Sequence, residues 1–139
     1  MNTKKIFTTN HIFFKVILCV GLIILLSAFQ LQKIGPAEFY NLLNNTENAV
    51  LLDVRVLEEY CEDRIPNAIW AGKKIVLDSL LKELDKKSTF FIYCEICGRT
   101  TDVAKILKKA KIKHVVILDG GIVAWKRENF PIDNEQVCE

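Results

Sequence analysis

Three short apolar runs constrain this chain more than any other feature: Val50-Leu51-Leu52-Asp53-Val54, Phe90-Phe91-Ile92-Tyr93 and Val115-Val116-Ile117-Leu118. Continuous runs of strand length suit strands of a parallel sheet covered on both faces. Parallel neighbours need crossover connections, and the intervening segments have helical spacing. Leu77, Leu80, Leu81 and Leu84 recur at i, i+3, i+4 and i+7, with Asp78 and Ser79 at the start of the segment. Val103, Ile106, Leu107 and Ala110 repeat the pattern with Lys105, Lys108 and Lys109 turned outward. Gly35-Pro36-Ala37-Glu38 predicts a further helix start, with Pro in the first turn and an acid near the positive dipole end. That helix runs through Leu43 to a turn cluster at 44–48, and a short segment through Trp125 and Arg127 closes the fold before Pro131. The fold class expected is α/β, a small parallel β-sheet flanked by helices with right-handed crossovers.

At 139 residues the chain has material for one such domain and too little for two. Its apolar residues are unevenly placed, because 16–29 contains no charge while Lys4, Lys5 and Lys15 precede it. That is the signature of a signal peptide or an N-terminal transmembrane anchor, an N-terminal hydrophobic helix over 1–30. Leu26-Ser27-Ala28 is an imperfect cleavage site, so the balance favours a retained anchor, with Ile12 to Phe14 extending the span if Lys15 snorkels. The lysine asymmetry places the domain outside the cytoplasm, exported or periplasmic, and tied to the membrane if the segment is uncleaved. The domain itself is expected over 33–133, with 134–139 as a C-terminal tail.

Without the leader's three lysines, sixteen basic residues face seventeen acidic ones. A nearly neutral domain has no basic face for nucleic acid, so that partner class is discarded. Of the five cysteines, Cys19 lies in the apolar segment, Cys61 and Cys138 are either free or bridged to each other, and Cys94 and Cys97 form a C-x-x-C pair.

Cys94 directly follows a strand, and ligands of open α/β sheets collect beyond the carboxyl ends of strands. The loop Cys94-Glu95-Ile96-Cys97-Gly98-Arg99 leads into a helix beginning near Arg99 and Thr100. Backbone N–H groups and a positive helix end can converge on the sulfur there and stabilise a thiolate or persulfide anion.

The succession Leu52-Asp53-Val54-Arg55, Glu59-Tyr60, Ile65-Pro66-Asn67-Ala68-Ile69, Tyr93-Cys94, Arg99-Thr100, Asp119-Gly120-Gly121 and Trp125 resembles the rhodanese family over essentially all of 33–133. The resemblance implies a rhodanese-like fold and a thiosulfate sulfurtransferase-like enzyme. Cys94 would be the catalytic nucleophile: it takes sulfane sulfur from a small sulfur-donor anion and passes it to a thiol acceptor. No cofactor and no metal are implied. The active-site and anion-binding loop would comprise Glu95, Ile96, Cys97, Gly98, Arg99 and Thr100, with Asp53 and Arg55 as supporting framework. Four residues between Cys94 and Arg99 look like a sulfurtransferase loop, one residue shorter than that of phosphatases resembling it.

Three departures keep alternatives open. Cys97 stands where the family usually has glycine, and as a resolving thiol it would make the protein a thiol–disulfide redox protein served by a thioredoxin-like reductant. Glu95 brings a negative charge toward the anion site, slowing thiosulfate capture unless it points outward. Asp63-Arg64 replaces a common Gly-His, with Arg64 read as a surface charge. A domain that kept the fold as a non-catalytic binding module is the third reading.

Overall fold

A computed structural model describes Lys15, residues 28–96 and 98–135, and Cys138. The expected leader helix therefore lies outside the described residues. Among the described residues no helix is long and apolar enough to cross a membrane.

The elements alternate strictly: β1 (Gln30–Ile34), α1 (Pro36–Asn45), β2 (Ala49–Asp53), α2 (Leu57–Glu62), β3 (Ile69–Trp70), α3 (Lys74–Glu83), β4 (Thr89–Tyr93), α4 (Thr100–Lys109), β5 (His114–Leu118) and α5 (Gly121–Arg127). All strand pairs are parallel, in the order β1-β5-β4-β2-β3. The three apolar runs are the three inner strands, as their continuous hydrophobicity requires.

Because side chains alternate along a strand, each inner strand feeds two cores. Leu52, Phe90, Ile92, Val115 and Ile117 meet Leu77 and Leu81 of α3 and Ala104 and Leu107 of α4 on one face. Leu51, Phe91, Tyr93, Val116 and Leu118 meet Phe39 of α1 and Ile122 and Trp125 of α5 on the other. Each fully buried Leu or Phe contributes about 1.5–3 kcal/mol through water exclusion. Trp125 stands edge-on to Phe39 with centroids 6.1 Å apart, and its indole N–H donates to the Pro131 carbonyl at 2.8 Å.

The expected helices are present with shifted ends. α1 continues to Asn45 because Asn44, Asn45 and Thr46 donate to the carbonyls of Tyr40, Asn41 and Leu42, satisfying groups a helix end leaves orphaned. α3 starts at Lys74, four residues before Asp78. Strand β1 has no counterpart in the apolar pattern: it lies at the sheet edge with most side chains exposed, held by its ladder to β5. The sheet thus begins at Gln30, three residues before the expected domain start. Phe29 already packs against the α3–α4 core.

Candidate active site

Cys94 is the next residue after β4, and alternation sends its side chain with Phe90 and Ile92 into the α3–α4 face, where it is 3% exposed. Its backbone is gripped from the other face. The Cys94 carbonyl accepts from the Ile122 N–H at 2.9 Å and the Glu95 carbonyl from the Val123 N–H at 3.2 Å, so first-turn amides of α5 are satisfied by the loop. A trans peptide sets its N–H antiparallel to its C=O. The amides of Glu95 and Ile96 therefore turn away from α5, toward the face that holds the Cys94 side chain. Beyond the loop, α4 begins at Thr100 and places its positive end on the same side.

Gly121 makes this grip possible. It has φ +59°, and a Cβ there would lie 2.4 Å from both the Cys94 and Glu95 carbonyl oxygens. Only glycine tolerates both the left-handed backbone and the contact.

Arg55, 2% exposed, is the hub beside the loop. Its guanidinium donates to Asp53 at 2.8 to 3.1 Å, to Asp63 Oδ1 at 3.2 Å and to Glu95 Oε2 at 3.3 Å. Burial works to neutralise Arg55, but the Asp53 hydrogen bonds and charge outweigh it, and its pKa rises above the ordinary value. Burial also raises the pKa of Tyr93, reinforced by the nearby Asp53 charge, and the neutral phenol accepts from the Ile65 N–H at 3.1 Å. Lys126 pairs with the second oxygen of Asp63.

Asp53 and Arg55 thus sit together as a buried framework, and Glu95 turns to Arg55 rather than over the sulfur. Ile96, Gly98 and Arg99 are exposed; Cys97, with the C-x-x-C reading that depends on it, lies outside the described residues. Arg99 pairs with Glu59 at 3.1 Å. A cation at a helix start opposes the dipole, and Glu59 offsets that charge. Arg64 corrects the surface-charge expectation. It is 6% exposed and donates to Asp133 Oδ2 at 2.6 Å and to the Glu135 carbonyl at 3.1 Å, holding the C-terminal tail because Asp133 pairs antiparallel with it. His114 is the half-buried first residue of β5. Cys61 and Cys138 are bridged, with Cα atoms 5.7 Å apart.

Glu59, Asp63 and Gly121 are the site residues that the sequence reading left without a role. Acidic residues spaced from Arg55 and Arg99 by eight and forty positions carry no local signal; the paired glycines after a strand did mark a turn.

A small parallel sheet with a thiol at the end of an inner strand, followed by a short loop and a helix start, is the arrangement of a rhodanese-like α/β domain. Residues 35–128 match the rhodanese-like domain family, and the chain belongs to that family. It is 30% identical over 90 residues to a sulfurtransferase of Allochromatium vinosum, covering 65% of this chain and 83% of the relative. A tRNA sulfurtransferase of Pyrobaculum aerophilum is 39% identical over 83 residues, 60% of this chain but 17% of that protein. Two further relatives are also longer, the chain spanning 24% of one and 49% of the other. The crystal structure of a rhodanese-like domain protein from Staphylococcus aureus superimposes with a TM-score of 0.59 at 28% identity, covering 68% of this chain and 90% of that one.

Proposed function

We propose that the protein is a sulfurtransferase that carries sulfane sulfur on Cys94. The Cys94 thiolate attacks the outer sulfur of a donor, thiosulfate being the simplest; a new S–S bond forms, the donor S–S bond breaks, and sulfite leaves with the electron pair. An acceptor thiol then takes the outer sulfur, its proton passing to the new persulfide, and Cys94 returns as thiolate. The observation that carries this reading is the anchoring of the Cys94 and Glu95 carbonyls on α5, which turns two amides toward the thiol's face. Those amides and the α4 terminus supply partial positive charge where the sulfur anion resides.

The domain works outside the cytoplasm, held to the membrane by the N-terminal segment if that is uncleaved. The uncharged run behind three lysines supports this. So does the Cys61–Cys138 bridge, since disulfides persist in oxidising compartments.

Incubation with thiosulfate should add one sulfur atom, ~32 Da, to the peptide bearing Cys94, with no addition in Cys94→Ser. Absence of the adduct with thiosulfate and with organic persulfides alike defeats the reading. Cys97→Ser should retain loading and lose any reversible Cys94–Cys97 disulfide; if the adduct is lost with it, the two functions are coupled.

A further inference from the structure

The charges around Cys94 are not arranged to receive a dianion. Arg55 is held by Asp53, Asp63 and Glu95, Lys126 by Asp63, and Arg99 by Glu59. Arg55 and Lys126 thus share three carboxylates, a connected cluster with one negative charge in excess, and beside it Arg99 and Glu59 form a separate neutral pair. Arg99 is the loop's own cation, and Glu59, paired with its Nη1, offsets its charge. Glu59 is fixed in turn, because its Oε2 also accepts from the Val56 N–H at 3.3 Å at the start of α2.

Thiosulfate carries two negative charges on atoms beside the sulfur it gives up. It must approach this negative cluster, and the one cation of the loop, Arg99, has its charge offset by Glu59. A thiol persulfide, R–S–SH, presents its outer sulfur next to a neutral sulfur and a carbon, and needs no cation. The surroundings suit such a carrier. Val56 is 44% exposed, Leu57 36%, Ile96 61% and Val123 43%. Val56 and Leu57 follow Arg55, Ile96 follows Glu95, and the Val123 amide bonds the Glu95 carbonyl.

We propose that Glu59 is a donor-specificity residue: by neutralising Arg99 it biases Cys94 toward thiol persulfides and against dianionic donors. This rests on the sulfurtransferase reading above. The step balances without another reactant: the Cys94 thiolate bonds to the outer sulfur, the R–S to SH bond breaks, the proton stays on the transferred sulfur and R–S⁻ leaves.

The test compares second-order rate constants for loading Cys94 of the full chain with thiosulfate and with glutathione persulfide, in the wild type and in Glu59→Gln. Glutamine keeps the acceptor for the Val56 amide but removes the charge. The thiosulfate-to-persulfide ratio should rise about five- to tenfold, the effect of one unit charge on a nearby dianion in largely aqueous surroundings. In the wild type, added salt should raise the thiosulfate constant, with a flatter dependence in the variant. An unchanged or lower ratio overturns the proposal, as does loss of loading by both donors in the variant alone. Failure of both donors on the wild type removes the sulfurtransferase reading itself, so the two failures are distinguishable. The source of the persulfide is separated by a third arm, a persulfidated protein cysteine: faster loading from it than from glutathione persulfide identifies a protein donor, and slower loading a small thiol.

Discussion

Arg55 is a large cation placed where water does not reach, and its partners decide whether that placement stabilises the fold. Asp53 is fully buried beneath it and accepts three side-chain hydrogen bonds from its guanidinium, while Asp63 and Glu95 take the rest of the fork. Removing one member of a buried pair leaves the other's charge uncompensated, which costs about 3–5 kcal/mol. Arg55→Ala should therefore lower the free energy of unfolding by that amount in urea titrations, and free Glu95 from its place beside the loop. Arg55→Lys should recover part of the loss only, because a point charge cannot serve three carboxylates in the plane of a fork. The pairing of Asp53 with Arg55 was within reach of sequence, since two residues apart at a strand end they are neighbours by chain geometry. Their link to Asp63 and Glu95 was not: eight and forty residues intervene, and only the fold brings those carboxylates to the same guanidinium.

At the scale of elements, the active loop is shaped by the turn into α5 as much as by its own residues. Gly121 lets that turn press against the loop carbonyls, and a methyl group there meets two oxygens at 2.4 Å on a left-handed backbone. Gly121→Ala should cost more than about 1–2 kcal/mol, the backbone penalty alone. It should also slow Cys94 loading beyond what the lost stability explains, because the loop must shift to admit the methyl group. Loading rates measured well below the melting transition separate the two effects, and an unchanged rate would show that the turn only stabilises. The same scale sets what was legible in the sequence. β2, β4, β5, α3 and α4 announce themselves through continuous apolar runs or through 3.6-residue periodicity, and the loop at Cys94 follows from where they end. β1 does not, since an exposed edge strand is specified by its ladder to β5 rather than by a hydrophobic pattern. α2 has six residues and no buried side chain, too little for periodicity to show, yet it carries Glu59.

For the whole molecule, the tail decides how the chain is closed. Cys138 is bonded to Cys61 across 77 residues, a loop that encloses everything from β3 to α5. A cross-link of this reach stabilises by about 2–4 kcal/mol through the unfolded chain. Beside it, the Arg64 and Asp133 backbones exchange hydrogen bonds at 2.8 and 2.9 Å, and their side chains form an ion pair. The Glu135 N–H holds the Asp133 carboxyl below its usual pKa, and Arg64 lowers it further. A carboxylate with a depressed folded pKa stabilises the native state above its unfolded pKa, and that contribution disappears as pH falls through the folded value. The bridge and the ion pair therefore fail under different conditions, one on reduction and the other in acid. With the double variant Cys61→Ser/Cys138→Ser, the urea midpoint at neutral pH should fall by the equivalent of the cross-link's contribution. Acidification through the carboxylate range should then expose the tail to proteolysis and speed hydrogen exchange at the Arg64 amide, while the oxidised wild type keeps both protected. Equal protection of the two proteins in acid would mean that the backbone pairing of Arg64 with Asp133 holds the tail without either side-chain device.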